Sequence, residues 1–379
     1  MSKKILIAPN AFKHSLSAIE AAKVIYSVLK LRGKNLGCEM VPIADGGDGT
    51  IDVLHYYIQN SKFVNCNVYN PLMKKIKSKW LLLNKKTAVI ELAKSSGINL
   101  LKDNELNPLV ANTYGSGELI KAALDRGCRS LVVSLGGSAT VDGGLGILYA
   151  LGAKLLDKNN NELKPSGAAL SQLKKIDLTG IDKRIYKCKI FALCDVKNIL
   201  VGSKGTINFS RQKGANYKQR VILEKGMKNF AKITLHTTGK NYSKYPMTGA
   251  AGGVAFMLKS FLNADLLSGF SYLEEMINLK NKIKKSNIII TGEGKLDAQT
   301  FMGKGVYELI KLTRRVNVNK KKIIVLCGES EKGINWKNYR IDLVLKLRSG
   351  NQSLNESIKN AKNLLRNLVE KHYNLIIES

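Results

Sequence analysis

Short apolar runs that pass directly into glycine-rich, acid-bearing loops are the feature that most constrains the fold of this chain. Runs of this length are typical of buried strands. Glycines let backbone N–H groups approach an anion, and a helix N-terminus behind the loop adds partial positive charge. Acids in the same loops would repel a bare phosphate, so they indicate Mg²⁺ binding or proton transfer. The combination indicates phosphoryl transfer, and the loops are residues 45–50, 136–144 and 291–297.

The order of strand-like and helix-like segments predicts an α/β fold with two domains. The 379 residues exceed the ~250–300 at which single cores stop growing. Both ends alternate strand and helix, as parallel sheets do, whereas the segment after residue 65 has shorter runs of antiparallel character. We expect a discontinuous Rossmann-like parallel-sheet domain from residues 1–64 and 285–379. An inserted mixed α/β domain would span residues 65–284, with the assignment of residues 112–150 left open.

Composition narrows the class of protein. The net charge is +32, from 61 Lys and Arg against 29 Asp and Glu, and this charge raises nucleic acid as a partner. However, the basic residues are spread over the whole chain, and aromatic residues make up only 7% and do not interleave with them.

The six cysteines and four histidines lack the clustering of zinc sites. No apolar run reaches ~18 residues, and the N-terminal segment lacks a signal-peptide pattern, which predicts a cytoplasmic protein without membrane contact.

The common nucleotide-binding motifs are absent from the sequence. No GxxxxGK[ST], no GxGxxG and no HRD/DFG pair occurs. Any ATP site in this chain must therefore be of a rarer type.

Candidate ligand-binding residues lie in the loops after the predicted strands. Lys13 and Ser15 stand between the first strand and the first helix, where they would meet an anionic ligand, or simply cap the helix. Asp45 and Asp48 flank two glycines, a spacing that can direct both carboxylates to one centre. Residues Gly136, Gly137 and Ser138 are typical of an oxyanion cradle, helped by Thr140 and Asp142.

Candidate proton acceptors also stand at strand ends. Asp195 ends an apolar run, a position that favours catalytic carboxylates in open sheets but also suits a turn residue. Glu293 and Asp297 belong to the densest cluster, which also holds Lys295 and Lys304. A purely structural loop would rarely concentrate so many ionisable groups beside glycines.

The motifs in this order and spacing resemble the bacterial type I glycerate kinases over essentially the whole chain. These enzymes transfer the γ-phosphate of ATP to D-glycerate with Mg²⁺, on a two-domain α/β fold. The motifs are FKHSLSA, ADGGDGT, ELAKSSGI, NTYGSGELI, GGSATVDGGLG, LGAKLL, CDVKN, QKGA, GAAGG and TGEGKLDAQT followed by GK.

The resemblance assigns expected roles to the candidate residues. Asp45 and Asp48 would hold Mg²⁺ or orient substrate, and Lys13 and Lys304 would neutralise phosphate or the glycerate carboxylate. The loop from Gly136 to Ser138 would cradle an anion. The base that accepts the hydroxyl proton would be Asp195, Glu293 or Asp297. The sequence does not rank these three candidates.

The chain also departs from the family pattern. Asn10 stands where an acid is usual, just before the FKHSLSA motif. A carboxylate at this position could bind a metal or the substrate, so the asparagine removes one candidate ligand. The other departures remove no acid or lysine from the central cluster; they are Ile199, Arg211, Met302 and the pair Gly305-Val306.

Several alternatives stay open at this point. The product is 2-phospho-D-glycerate by resemblance, with 3-phospho-D-glycerate as the alternative. A kinase of another small hydroxy acid and, in a different class, a basic nucleic-acid-binding protein are the rival functions. A homodimer is an open alternative for the assembly.

Overall fold

The computed structural model describes residues 3–297, 300–316, 321–331, 333–348 and 353–378. The chain forms two compact units. Unit 1 comprises residues 1–45 and 270–379, and unit 2 comprises residues 46–269. Both boundaries lie earlier along the chain than the domain limits expected from the sequence.

The described elements alternate between strands and helices. The strands are β1 (Lys4–Ile7), β2 (Gly37–Met40), β3 (Lys62–Tyr69), β4 (Lys75–Asn84), β5 (Thr87–Glu91), β6 (Ser130–Ser134), β7 (Lys154–Leu156), β8 (Lys175–Asp177), β9 (Lys189–Cys194), β10 (Asp265–Ser268), β11 (Ile288–Leu296), β12 (Lys322–Ser330) and β13 (Leu343–Lys346). The helices are α1 (Ala18–Arg32), α2 (Thr50–Tyr57), α3 (Ala93–Ser96), α4 (Tyr114–Asp125), α5 (Leu145–Ala150), α6 (Ala169–Gln172), α7 (Tyr217–Thr238), α8 (Ala250–Leu262), α9 (Gly269–Met276), α10 (Leu279–Lys285), α11 (Gly305–Val316), α12 (Leu354–Lys359), α13 (Ala361–Lys371) and α14 (Tyr373–Ile377).

Unit 1 contains a parallel sheet in the order β13-β12-β11-β1-β2. Its central strands read as continuous apolar runs because both faces are covered, and Ile5, Leu6 and Ile7 are all buried. Helix α1 begins at Ser17, whose hydroxyl accepts the Glu20 N–H in a capping box. The parallel sheet built from both ends of the chain confirms the predicted Rossmann-like domain.

Unit 2 contains a mixed sheet in the order β10-β9-β6-β5-β4-β3. Strands β10, β9, β6 and β5 run parallel, and β4 and β3 extend the sheet antiparallel. The extended, turn-separated segment expected after residue 65 forms these antiparallel strands. The predicted mixed α/β fold is confirmed.

One predicted helix is interrupted. The helical spacing of apolar residues over 354–371 predicts a single helix, but α12 ends at Lys359 and α13 begins at Ala361. Asn360 lies between them with φ −103° and ψ 11°, which is outside helical geometry. Asparagine suits such breaks because its side chain competes for backbone hydrogen bonds.

In each unit the chain turns at the carboxyl edge of the parallel strands, where ligands of open α/β sheets bind. In unit 1 the loops after β1 and β2 and the end of β11 lie at this edge. In unit 2 the loops after β5, β6 and β9 do so. None of the described helices combines the length and the hydrophobicity of a membrane-spanning segment.

Candidate active site

Glu293, on the last part of β11, is a nearly buried carboxyl, 7% exposed. Burial raises its pKa to about 7, and the negative charge of Asp45 acts in the same direction. The Thr300 hydrogen bond and the positive charges of Lys304 and Lys13 oppose this rise. Oε1 of Glu293 has no hydrogen-bond partner among the described residues. A buried polar atom of this kind is costly unless a ligand completes it.

Asp45 is held by two donors within unit 1. The Asn10 Nδ2 donates to Asp45 Oδ2 at 3.0 Å, and the Gly305 N–H donates to the same oxygen at 3.3 Å. Gly305 is the first residue of α11, so the carboxylate also gains from the partial positive charge of the helix N-terminus. The amide at Asn10, where the resemblance leads one to expect an acid, therefore stabilises the Asp45 carboxylate where a second carboxylate would repel it.

The remaining predicted residues of unit 1 have different surroundings. Lys13 is exposed in the turn between β1 and α1, and its positive charge favours the ionised form of Glu293. Ser15 Oγ donates to the Phe12 carbonyl at 2.9 Å and so closes its own turn. Asp297 Oδ1 accepts the backbone N–H of Thr300 at 3.2 Å, which is typical of a turn-capping carboxylate.

Unit 2 brings two of the predicted glycine loops into contact. The Gly136 N–H donates to the Gly46 carbonyl at 3.0 Å. A Cβ atom on Gly136 would lie only 2.4 Å from the Cα of Gly47. The glycines at these positions are therefore required by close backbone approach.

Asp48 belongs to an acid–lysine cluster in unit 2. Its carboxylate accepts from Lys94 Nζ at 3.1 Å and from Asn99 Nδ2 at 3.0 Å. Burial opposes ionisation of Asp48, but the hydrogen bond with Glu91 and the charge of Lys94 outweigh it and lower its pKa. Asp45 and Asp48, which the sequence placed around one centre, thus have separate partners, each set within its own unit.

Glu91 and Lys94 are the residues that the sequence analysis missed. Glu91, at the end of β5, is fully buried and accepts the N–H groups of Gly49 and Ile51 at 3.0 and 3.1 Å. Its carboxylate also pairs with Lys94 Nζ at 3.2 Å. Glu91 therefore fixes the start of α2, which has no capping side chain at Gly49.

The protonation of this pair reflects burial and mutual attraction. Burial raises the pKa of Glu91 to about 7 against the stabilising charge of Lys94. The pKa of Lys94 lies above its ordinary value because Glu91 and Asp48 outweigh the effect of burial. The available signal was the motif ELAKSSGI, which places an acid at a strand end and a lysine three residues later.

The predicted oxyanion loop contains a buried lysine that pairs with it. Lys213 Nζ donates to Ser138 Oγ at 2.8 Å and to the Thr140 carbonyl at 2.7 Å. Asp142, expected to add a hydrogen-bonding group to the loop, is instead completely buried. Its carboxylate accepts from the Thr113 N–H and hydroxyl at 2.8 Å and from the N–H groups of Gly144 and Gly146 at 3.1 Å. Asp142 therefore anchors helix starts.

Asp195 follows β9 at the same edge of the sheet in unit 2. Burial lowers the pKa of Lys213 to about 8, and the negative charges of Asp142 and Asp195 limit the fall. In unit 2 the structure thus groups Ser138, Asp195 and Lys213, a residue of the loop after Asp195 that the sequence offers as a phosphate contact, whereas Glu293, Asp45 and Lys304 are grouped in unit 1. Among the described residues, no set of three or more His, Cys, Asp or Glu side chains forms a ready metal cage.

Comparison with known proteins identifies relatives over the full length of the chain. The profile of the glycerate kinase family matches residues 5–377. A Bacillus subtilis (strain 168) glycerate kinase is 39% identical over 317 residues, covering 83% of each chain. An Escherichia coli (strain K12) glycerate 2-kinase is 35% identical over 361 residues, covering 94% of each.

A solved structure agrees with these sequence relatives. A crystal structure described as a candidate glycerate kinase 2 from Salmonella typhimurium LT2 superposes with a TM-score of 0.80 at 31% identity. The match covers 99% of this chain and 98% of that one. Since relatives of more than 30% identity and the family profile span nearly all residues, the chain belongs to the glycerate kinase family of phosphotransferase enzymes.

Proposed function

We propose that this chain transfers the γ-phosphoryl group of ATP to D-glycerate, with 2-phospho-D-glycerate as the product. The observation that carries the proposal is Glu293, a buried carboxyl with a pKa of about 7 at the carboxyl edge of a parallel sheet, with one oxygen that has no hydrogen-bond partner among the described residues. A general base works best when its pKa lies near the operating pH. Family membership supplies the reaction class, and this carboxyl supplies a proton acceptor.

Glu293 accepts the proton of the glycerate hydroxyl in this proposal. The hydroxyl oxygen forms a bond to the γ-phosphorus, the bond from that phosphorus to the β–γ bridging oxygen breaks, and ADP leaves. Phosphoryl transfer requires positioning and charge neutralisation more than covalent chemistry. Asp195 and Asp297 are the alternative bases, and Asp297 ranks lower because its carboxylate already accepts a turn N–H.

The cationic groups neutralise the anionic ligands. Lys13 and Lys304 would meet phosphate or the substrate carboxylate, with Ser15 at the same turn. The positive charges of Lys13 and Lys304 favour the ionised form of Glu293. This effect supports placing both lysines near the reacting groups of unit 1. The loop of Gly136, Gly137 and Ser138 would cradle an anion on unit 2.

Mg²⁺ fits part of the donor set. It binds proteins through one or two carboxylates and completes its shell with water and phosphate oxygens. Of the two ligands expected from the sequence, Asp45 fits better, because one oxygen of its acidic neighbour Glu293 has no partner within the described part of the chain, whereas Asp48 is paired with Lys94. Bound Mg²⁺ would neutralise charge on the ATP phosphates.

A coupled assay of ADP release tests the function. Purified protein with ATP and Mg²⁺ should release ADP on addition of D-glycerate, well above the rate with ATP alone. L-glycerate, glycolate and D-lactate serve as the substrate panel for a kinase of another hydroxy acid. Absence of glycerate-dependent ADP release would reject the proposal.

The cytoplasmic location proposed for this enzyme rests on the sequence features of the N-terminal segment and of the apolar runs.

The position of the phosphoryl group needs its own measurement. A shift of about an ångström in the substrate pose changes which hydroxyl is in line. Enolase acts on 2-phosphoglycerate, so the product should give an enolase signal without phosphoglycerate mutase. A signal that appears only after mutase is added would make the enzyme a 3-kinase.

A further inference from the structure

Lys213 is a buried lysine that the reaction scheme above does not use. It ends a short 3₁₀ turn, Arg211–Lys213, and is 8% exposed. Two of its three N–H bonds are directed to Ser138 Oγ and the Thr140 carbonyl. In the part of the chain that the structure describes, its third N–H has no hydrogen-bond acceptor. A buried ammonium group with an unused donor is costly unless a ligand completes it.

The Ser138 loop has unused donors of its own. Because Ser138 Oγ accepts from Lys213, its hydroxyl hydrogen is available to another acceptor. The backbone N–H groups of Gly137 and Ser138 have no partner within the described residues either. Gly137 has φ 79°, and a left-handed residue turns successive N–H groups toward the same side, as in an anion-binding nest. Four donors, one of them charged, are thus left over in one loop and its lysine.

The charges around Lys213 select the kind of anion. Asp142 and Asp195 are the acids whose fields reach Lys213, so the local acids already outnumber the lysine. A polyphosphate would add several more negative charges, whereas a carboxylate adds one. Two carboxylate oxygens also match a small number of donors better than a triphosphate chain does.

We propose that Lys213 and the Ser138 loop bind the carboxylate of the acceptor substrate, a small 2-hydroxy acid. This inference rests on the proposed function and assigns the subsite that recognises its acceptor. The carboxylate oxygens accept hydrogen bonds from Lys213, the Ser138 hydroxyl and the two loop N–H groups. Lys213 would thereby distinguish hydroxy acids from neutral polyols such as glycerol.

The protonation of Lys213 gives the subsite a pH dependence. Burial lowers the pKa of Lys213 to about 8, and the charges of Asp142 and Asp195 limit the fall. The ammonium form is therefore lost as pH rises through about 8, and carboxylate binding weakens with it. A lysine in water would hold its charge to a pH about two units higher.

The test compares Lys213→Met with Lys204→Met in the full chain. Met keeps much of the length of the lysine chain without its charge, and Lys204 is an exposed lysine of the same segment. For Lys213→Met we expect KM for D-glycerate to rise by ~10–100-fold, with KM for ATP changed less than ~3-fold. Lys204→Met should match the parent in both constants. Above pH 8 the parent's KM for D-glycerate should rise, and Lys213→Arg should abolish that rise.

Calorimetric binding of D-glycerate, without ATP, separates this inference from the reaction. Binding that Lys213→Met weakens supports the subsite even if no ADP is released, and an unchanged glycerate affinity overturns it. A rise in KM for ATP alone would also overturn it and assign the lysine to phosphate. If Lys213→Met fails to fold, as judged by thermal unfolding, Ser138→Ala replaces it. That variant removes one donor and should raise KM for D-glycerate by several-fold; no change would reject the subsite.

Discussion

Gly136 approaches Gly47 so closely that a Cβ atom on Gly136 would lie 2.4 Å from the Cα of Gly47. The contact involves backbone, so it cannot be relieved by a side-chain rotation. We expect Gly136→Ala to push the two glycine loops apart and to lower kcat/KM by at least ~100-fold, since displacements of about 1 Å have this effect in active sites. Gly37→Ala is the control, because its nearest neighbour would lie at 3.4 Å. Near-parental kinetics for Gly136→Ala would show that the loops tolerate separation.

Glu293→Gln should remove the proposed base while keeping its size. We expect kcat to fall by about 10²–10⁴-fold, the usual contribution of a general base. Replacing a buried carboxyl by a neutral amide removes the cost of ionising it, so the folded state should be retained in thermal unfolding. A variant within a few-fold of the parent would shift the base to Asp195.

The pH profile of kcat should report the raised pKa of Glu293. Only the ionised carboxylate accepts a proton, so kcat at saturating D-glycerate should increase with pH and level off above about 7. Stability should change in the opposite direction, because the raised pKa favours the neutral acid in the folded state. This stabilisation is complete below 4.5 and is lost as pH rises through about 7. Glu293→Gln should flatten both profiles, and a rising limb that persists in the variant would contradict the assignment.

Asp297 provides a contrast with Glu293. Its carboxylate accepts the Thr300 N–H, which an asparagine carbonyl oxygen can also accept. We expect Asp297→Asn to retain kcat within a few-fold, whereas Asp297→Ala should lose more because the turn lacks its cap. A fall of 10²–10⁴-fold for Asp297→Asn would make Asp297 the base or a ligand, since only charge and basicity change.

Glu91 should matter for stability rather than for chemistry. Glu91→Ala leaves two backbone N–H groups without their acceptor and removes one of the carboxylates that pair with half-buried Lys94. We expect the free energy of unfolding in urea to fall by about 2–5 kcal/mol, because each buried donor left without an acceptor costs about 1–3 kcal/mol. Glu224→Ala removes the half-exposed partner of Lys228 on α7 and should leave the unfolding midpoint nearly unchanged. Equal midpoints for the two variants would refute a stabilising role for Glu91.

The sequence predicted the fold well where a pattern has a local cause. Apolar runs such as 288–290 form buried parallel strands, and Ser17 with Glu20 begins α1 as a capping box. The prediction missed the break at Asn360, because the helical spacing of apolar residues continues through it. Such spacing does not reveal a single non-helical residue.

The sequence predicted the candidate site less completely, because partners distant along the chain are set by packing. Lys213 meets Ser138 across 75 positions, and Glu91 meets Gly49 across 42. Asp142 was expected to face a ligand, but four protein donors hold it inside. A residue type in a glycine loop indicates chemistry, whereas only the folded chain decides which way its side chain turns.

The placement of β1 between β11 and β2 has a consequence for biosynthesis. Ile5 pairs with Ile288, so one edge of β1 must wait for a strand that is synthesised much later. At roughly 5–20 residues per second, this delay is on the order of 15–60 s. Residues 46–269 form a contiguous unit and can fold during that time. Strand β2 can pair with β1 early, but the other edge of β1 stays open until β11 emerges. An open strand edge can pair with other chains, so this edge is a site of misassociation during synthesis.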